Sequence, residues 1–122
     1  MEERRQFVRL DTRLDIKYTV LPTGASQPGA TKDIGGGGIC LFAEQEMPAG
    51  TRLQVAMKLP GREQPVNFTA EVVWSEAYEV IGKSHRQRSV EVGVRFVEVA
   101  PQDQEAVMQH VILGLKQPHT KP

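Results

Sequence analysis

Three arginines near the start of the chain are the first residues whose type and spacing suggest chemistry. They lie within six residues, in Arg4-Arg5-Gln6-Phe7-Val8-Arg9. A guanidinium group presents a planar fork of donors that fits phosphate oxygens or the O6/N7 edge of guanine, and it also stacks on bases. We expect residues 1–10 to form a flexible arm that becomes ordered when an anionic ligand binds. The alternative is a solvated charged tail, because short basic clusters are weak signals of binding.

An acidic residue followed by a run of glycines is the second candidate. The segment is Asp33-Ile34-Gly35-Gly36-Gly37-Gly38. Glycine permits positive φ and lets the backbone approach a ligand closely, and successive backbone N–H groups can form a concave anion site. The Asp33 carboxylate can accept hydrogen bonds from the N1 and N2 donors of guanine or from an arginine. A tight turn or bulge between two strands would use the same glycines without a ligand, so the run alone leaves both interpretations open.

Strands must position these two segments, because apolar residues recur with period two along most of the chain. The predicted strands run over residues 14–20, 39–42, 53–59, 66–74 and 90–96. Residues 22–29, rich in proline and glycine, are predicted to form a loop. The polar segment 75–89 is predicted to be a hairpin loop between the last two strands.

One segment near the end of the sequence follows helical spacing instead. Pro101 is an allowed first helical residue, and the apolar stripe that follows it consists of Val107, Met108, Val111, Ile112 and Leu115. This stripe predicts a helix over about residues 101–116. Several short strands followed by one helix indicate an antiparallel β-barrel that the helix plugs or flanks, since closure removes unprotected sheet edges. We place a single domain at residues 11–117, because 122 residues suit one domain.

The charge balance restricts the class of ligand and partner. The sequence has 15 lysines and arginines against 15 aspartates and glutamates, whereas proteins that hold long nucleic acid by its phosphates carry a positive surplus. An anionic ligand is therefore expected to be small and bound by a local cluster. The sequence lacks a long apolar stretch and a signal-peptide core, so we predict no membrane insertion and a cytoplasmic location.

The titratable residues do not indicate catalysis. His85, His110 and His119 are scattered along the sequence, and neither metal-ligand spacing nor a nucleophile–base arrangement is present. Cys40 is the only cysteine, which excludes an intramolecular disulfide and argues against a cysteine-based zinc site. We therefore predict a protein that is not an enzyme and that uses no metal or cofactor.

The two candidate segments together resemble the signature of the PilZ domain family, which consists of bacterial receptors for cyclic di-GMP. The family's RxxxR arm is matched by Arg5-Gln6-Phe7-Val8-Arg9, preceded by the extra arginine that members often carry, and its D/N-x-S-x-x-G turn is matched by Asp33 through Gly38. Further similarity lies in Gly50-Thr51, Ala70-Glu71-Val72-Val73-Trp74 and Val92-Gly93-Val94-Arg95-Phe96. The resemblance covers nearly the whole chain, residues 4–115.

The resemblance implies a mainly β fold, a six-stranded antiparallel β-barrel with a C-terminal helix, and cyclic di-GMP as the ligand. The nucleotide, often an intercalated dimer, would lie against the barrel between the arm and the turn. The three arginines of the arm would bind guanine edges and phosphates. Asp33 would meet a guanine edge, while Gly35 and Gly38 would shape the floor of the site. Binding would fix the arm against the barrel and change the surface that a partner protein contacts.

Two positions qualify this resemblance. Gly35 stands where the family usually has serine, and since one net hydrogen bond contributes about 0.5–1.5 kcal/mol, we expect weaker binding rather than none. Trp74 stands where some members stack an aromatic ring on guanine, a contact worth about 1–3 kcal/mol. Trp74 also shares the parity of the apolar residues from Val66 to Val72, so the alternative is a core residue at the end of its strand.

Two alternatives to a nucleotide receptor remain open. A PilZ-like domain that has lost the nucleotide would act through protein contacts alone, which Gly35 favours and the intact arginine arm disfavours. A small barrel that binds single-stranded nucleic acid would show salt-dependent binding and several exposed aromatic residues. This second alternative ranks last, because the chain has one Trp, two Tyr and four Phe and no net positive charge.

Overall fold

Six antiparallel strands close into a barrel in the computed structural model, which describes residues 9–22, 24–35, 37–81 and 86–116. The strands are β1 (Arg9–Asp11), β2 (Asp15–Val20), β3 (Ser26–Gly35), β4 (Gly38–Ala43), β5 (Arg52–Met57), β6 (Val66–Ile81) and β7 (Arg86–Val99), and the helix α1 spans Pro101–Lys116. The predicted fold class, a mainly β chain with a six-stranded antiparallel barrel and a C-terminal helix, is confirmed.

The barrel strands follow the order β3-β2-β5-β6-β7-β4, and a pairing between β4 and β3 closes the circle. The seventh strand, β1, is short and lies in line with β2. β2 pairs with residues 26–30 of β3, and β1 pairs with residues 33–35. Because β4 occupies the other edge of β3 at residues 33 and 34, β1 and β2 must share one edge. The start of the chain is therefore attached to the C-terminal end of β3.

Apolar side chains at alternate positions of the strands fill the interior of the barrel. The largest fully shielded residues include Tyr18, Ile34, Leu41, Val55, Phe68 and Val92. Phe68 also meets Phe96 edge to face, with 4.8 Å between the ring centroids. Each fully buried side chain of this size contributes about 1.5–3 kcal/mol relative to an exposed one. The core thus forms the rigid base for the residues on the outer face.

The packed face of α1 is narrower than its apolar stripe predicted. Val107 and Val111 are buried, but Ile112 and Leu115 are 44% and 40% exposed. Gly114 lies against the barrel instead, since positions 107, 111 and 114 follow the i, i+4, i+7 spacing of one helical face. Within the described residues, no helix has both the length and the apolar character needed to cross a membrane.

The predicted loop over residues 22–29 is in part a strand, because β3 begins at Ser26. Pro28 lies inside this strand. The Thr31 N–H donates to the Leu14 carbonyl over 2.9 Å, so alternation turns the backbone nitrogen of residue 28 toward the opposite edge. β4 pairs with that edge only from Ala30 onward. The missing N–H of the proline therefore removes no ladder hydrogen bond.

The predicted hairpin loop over residues 75–89 is also mostly strand. β6 and β7 continue there as a two-stranded ribbon whose pairs run from Ser75 and Val92 to Ile81 and Arg86. Glu76, Glu79 and Arg88 on this ribbon are exposed. Exposed charged positions interrupt the apolar alternation of this ribbon, so the sequence pattern does not reveal it.

Candidate functional site

Strand β1 brings the end of the arginine segment to the glycine bend. The antiparallel register pairs three residues of β1 with three of β3: Arg9 with Gly35, Leu10 with Ile34, and Asp11 with Asp33. Ile34 is fully buried in the core, so alternation along β3 directs the positions of Asp33 and Gly35 to the outer face of the sheet, where Asp33 is half-buried and Gly35 is buried. Directly paired residues lie on the same face. The Arg9 position therefore shares the outer face with the bend.

A buried threonine fixes the point at which β1 joins the barrel. The Thr31 Oγ1 donates to the Thr12 carbonyl over 2.7 Å and accepts from the Leu14 N–H over 2.8 Å. These two bonds span residues 12–14, the interruption between β1 and β2. Thr31 is completely shielded from solvent, where hydrogen bonds are most costly to lose. It therefore sets the position of β1 along β3.

The glycine bend between β3 and β4 is shaped by close contact rather than by positive φ. In the described part of the chain, positive φ occurs at glycines of two other turns, Gly50 and Gly61. The positive φ expected at the bend is thus not observed at its described glycines. Gly38 lies against β7, where a Cβ built on it would be 2.9 Å from the Arg95 Cα, and the Phe96 N–H donates to the Gly37 carbonyl over 3.0 Å. The lack of a side chain at Gly38 allows β4 and β7 to approach.

Trp74 lies on the outer face because β6 contains a bulge. Val72 pairs with Val94 and Trp74 pairs with Gly93, so Val73 is an extra residue in β6. The bulge reverses the alternation: Val72 is 1% exposed, whereas Trp74 is 44% exposed. The indole lies over Gly93, where a built Cβ would be 2.5 Å from the Trp74 Cε2. The alternative that Trp74 is the last core residue of its strand is wrong.

Hydrogen bonds from the loop between β4 and β5 fix β6 on both sides of this bulge. The Gly50 N–H donates to the Val72 carbonyl and the Val72 N–H donates to the Thr51 carbonyl, each over 2.8 Å. On the other side, the Ser75 Oγ donates to the Met47 carbonyl over 2.9 Å and accepts from the Met47 N–H over 3.0 Å. The exposed indole thus stands on a fixed backbone, which reduces the ordering cost of stacking a ring on it.

Trp74 and Asp33 lie in the same row of the outer face. Successive pairings lead from Trp74 to Gly93, then to Cys40, then to Asp33. Neighbouring strands are about 4.8 Å apart, so three steps separate the backbone positions of Trp74 and Asp33 by about 14 Å along the sheet. The indole lies over Gly93, and Cys40, the residue between Gly93 and Asp33 in this row, is small and buried. No large side chain therefore projects from the row between the indole and Asp33.

Further cationic residues near this row were not predicted from the sequence. Arg95 lies on β7 beside the glycine bend, and its guanidinium binds the Glu71 carboxylate, which is also 3.8 Å from Arg52. Arg13 lies over the Phe42 ring, with 5.6 Å between its Cζ and the ring centroid. The period-two pattern of β7 could have indicated Arg95, because it stands between apolar positions. Arg13 follows β1 in a segment without such a pattern.

The structure brings most of the predicted site residues to one face. The Arg9 position, Asp33, Gly35 and Gly38 lie together at the ends of β1, β3 and β4, and Trp74 lies at the other end of the same row. Arg4 and Arg5 lie outside the described residues, and for Arg9 the structure describes the backbone. Within the described ranges, His, Cys, Asp and Glu form no group of three that could hold a metal ion.

The sequence matches the family model described as PilZ domain over residues 3–113. No curated protein matches the sequence. Among solved structures, the fold is similar to the PilZ domain of YcgR from Escherichia coli, solved with c-di-GMP. That similarity has a TM-score of 0.73 and 18% sequence identity, and it covers 93% of each chain.

Two longer proteins contain the same fold. MotI/DgrA from Bacillus subtilis, described as an inhibitor of motility, is 24% identical with a TM-score of 0.70. The match covers 92% of this chain and 51% of that one. The K. pneumonia MrkH–c-di-GMP complex is 16% identical with a TM-score of 0.73, and the match covers 95% and 55%. The chain thus spans about half the length of MotI and MrkH. At these identities the similarity shows the fold.

Proposed function

Because the chain belongs to the PilZ domain family, whose members are ligand-binding and regulatory domains, we propose that it is a receptor for cyclic di-GMP. The nucleotide binds on the outer face of the barrel, between the arginine segment and the row that runs from Asp33 to Trp74. The protein changes its surface on binding and carries out no chemical step.

The register of β1 on β3 carries this proposal. It puts Arg9, the last residue of the RxxxR segment, directly across from Gly35 of the bend. Paired residues have Cβ positions about 4.5–5.5 Å apart, so a guanidinium at position 9 can reach a phosphate or a base held against the bend. Arg4 and Arg5 lie five and four residues before Arg9 in the sequence and complete the cationic side of the proposed site.

Asp33 and Trp74 supply the contacts to the bases. The carboxylate of Asp33 accepts from the N1 and N2 donors of one guanine, and the indole of Trp74 stacks on a base, a contact worth about 1–3 kcal/mol. The separation of about 14 Å between them suits a ligand with two bases or two stacked nucleotides. Gly38 lets β4 approach β7, and Gly93 leaves room for the indole that receives the base.

The structural relatives support both the ligand and a regulatory role. YcgR and MrkH were solved with c-di-GMP, and MrkH is described as a c-di-GMP-dependent transcription regulatory factor. In this chain, bound nucleotide fixes the arginine segment against the barrel and thereby changes the surface offered to a regulated partner protein. The ligand shifts the equilibrium between the free and the fixed arrangement of this segment only by its difference in affinity for the two.

Titration calorimetry with cyclic di-GMP, with GTP as the comparison ligand, tests the proposal. We expect saturable binding of cyclic di-GMP alone, weakened by about 1–3 kcal/mol in Arg5→Ala and in Arg9→Ala, as for loss of one bidentate guanine contact. Arg62→Ala is the control for the loss of one arginine outside the proposed site. The Arg62 Nη2 lies 3.9 Å from the Oδ1 of Asp103 at the start of α1. If both arm variants bind as tightly as the parent chain, the assigned site is wrong.

A PilZ domain without nucleotide binding is the second candidate, and the glycine at position 35 favours it. This candidate predicts no heat of binding for the parent chain and measurable binding in Gly35→Ser. A barrel for single-stranded nucleic acid predicts instead that oligonucleotides bind and that affinity falls steeply with salt. Titrations with cyclic di-GMP and with an oligonucleotide, each at two salt concentrations, separate the three functions.

A further inference from the structure

Helix α1 meets strand β1 at a close contact directly behind the proposed site. A Cβ built on Gly114 would lie 2.5 Å from the Leu10 Cδ2, 3.1 Å from its Cδ1 and 3.3 Å from its Cγ. Leu10 itself is partly buried and packs against the barrel core. The leucine thus fills the space that a side chain at position 114 would need.

The two faces of β1 serve different neighbours. Leu10 pairs with the buried Ile34 and faces the core and the helix, whereas positions 9 and 11 pair with Gly35 and Asp33 on the outer face. Successive residues of a strand point to opposite faces. A displacement of β1 at the helix therefore also displaces the Arg9 position at the bend.

The glycine at position 114 is explained by this contact rather than by the helix. Glycine is among the poorest residues in a helix interior, and alanine at an unhindered position would favour the helix. Gly114 lies in the last turns of the 16-residue helix Pro101–Lys116, on the face that also carries the buried Val107 and Val111. A position that admits no side chain at a helix–strand contact has a packing role.

We propose that Leu10 and Gly114 are positioning residues for the arginine arm and that they couple the nucleotide site to the C-terminal turns of α1. A ligand that holds Arg9 at the bend seats Leu10 against Gly114, and a seated helix in turn favours the ligand, because coupling between two sites is reciprocal. The ligand-dependent half of this inference rests on the proposed function, whereas the positioning of β1 by the helix does not.

The coupling reaches the surface of the molecule through the helix. The same turns carry three exposed apolar residues: Ile112, Leu113 and Leu115. A change in how the helix is seated on β1 therefore changes the position of these side chains. Strand β1 and the last turns of α1 thus respond to one ligand as a single unit.

Amide hydrogen exchange of the free protein tests the positioning of β1. The reporters are the amides of Leu10 and Thr12, and the latter donates to the Lys32 carbonyl over 3.2 Å. We expect Gly114→Leu to raise their exchange rates about tenfold or more. Gln109→Leu, which adds the same side chain at an exposed position of the helix, should leave them unchanged. In Gly114→Leu with Leu10→Ala, the new leucine occupies the vacated space and the rates should return toward the parent values.

Cyclic di-GMP titrations test the coupling itself. Gly114→Leu should bind about tenfold more weakly than the parent, with most of the loss recovered in the double variant, and ligand should slow exchange at residues 111–114. If ligand protects the arm and the bend alone and Gly114→Leu binds like the parent, the coupling is wrong and the proposed function stands.

Exchange rates in the free protein separate the two hypotheses when no ligand binds. If the parent chain binds no nucleotide, the proposed function fails, while faster exchange in Gly114→Leu still supports positioning of β1 by the helix. Should Gly114→Leu fail to fold, Gly114→Ala replaces it, with a rise of about threefold expected because the end of Leu10 can partly turn aside. Unchanged exchange in the folded Gly114 variants overturns the inference.

Discussion

At Gly35, where the family usually has serine, the proposed site lacks a side-chain hydroxyl. Gly35 lies at the end of β3, paired with Arg9, so a hydroxyl there would meet the ligand beside the arm. One added hydrogen bond contributes about 0.5–1.5 kcal/mol. We therefore predict that Gly35→Ser binds cyclic di-GMP roughly 2- to 10-fold more tightly in calorimetry. Gly35→Ala, which adds the Cβ without the hydroxyl, should show no gain, and equal affinities for the two variants would contradict the role given to this position.

Trp74 can be substituted without disturbing the barrel core, so its contribution to ligand binding can be tested directly. The side chain is 44% exposed and stands on Gly93. We predict that Trp74→Ala weakens binding by about 1–3 kcal/mol, as for loss of one base–aromatic stack, whereas Trp74→Phe keeps most of the affinity. Val73→Ala is the matched control, since Val73 is the neighbouring bulge residue and is 52% exposed. Equal affinity in Trp74→Ala and Val73→Ala would remove Trp74 from the site.

At the scale of the elements, the buried hydroxyl of Thr31 stabilises the junction between β1 and β2. Thr31→Val keeps the shape of Thr31 but leaves the Leu14 N–H and the Thr12 carbonyl without the bonds of 2.8 and 2.7 Å that they now make. We predict a loss of about 1–3 kcal/mol in the free energy of unfolding, measured by urea denaturation, because buried groups become unsatisfied. Thr31→Ser retains the hydroxyl and should lose less. If both variants lose the same amount, the methyl group rather than the hydroxyl stabilises the junction.

The elements differ in how far the sequence could predict them. Period-two alternation is strong in five of the six barrel strands because one face is buried, and those five strands, the closed barrel and the final helix were predicted correctly. β3 was not predicted, because proline and glycine occupy its first half and give it the composition of a loop. The bulge at Val73 inserts one residue without any compositional mark, so the parity of Trp74 was misleading. β1 has three residues, too few to show a period. The outer ribbon of β6 and β7 carries exposed charged residues such as Glu76, Glu79 and Arg88, so its polar sequence resembled a loop.

On the scale of the whole molecule, the first and the last described elements, β1 and α1, meet at one place. Leu10 of β1 contacts Gly114 of α1, on the reverse side of the strand that faces the glycine bend. No local pattern could predict this contact, because it depends on how β1 is attached to β3 and on which face of α1 is packed. The site residues themselves came from a resemblance of motifs in order, whereas residue types alone left a charged tail and a plain turn open. Arg4 and Arg5 remain predictions for solution experiments.

The pH dependence of stability follows from how α1 is packed on the barrel. His110 lies between Val107 and Gly114 on the packed side of the helix, and its Nε2 is shielded without a hydrogen-bond partner among the described residues. Desolvation by burial lowers the pKa of His110 below the ordinary value of 6.5. Between the lowered pKa of the folded state and the ordinary value of 6.5, the unfolded chain binds more protons than the folded one. The contribution of neutral His110 to folding stability is therefore fully present above pH 6.5 and is lost as the pH falls through the folded pKa.

We therefore predict that the free energy of unfolding, measured by urea denaturation, decreases between about pH 7.5 and about pH 5.5 and that the decrease is smaller in His110→Met. Methionine fills a comparable volume in the helix and does not titrate. His85 and His119 are present in both chains, so their contributions cancel in the comparison. Equal pH dependence in the two chains would show that His110 is hydrated in the folded state.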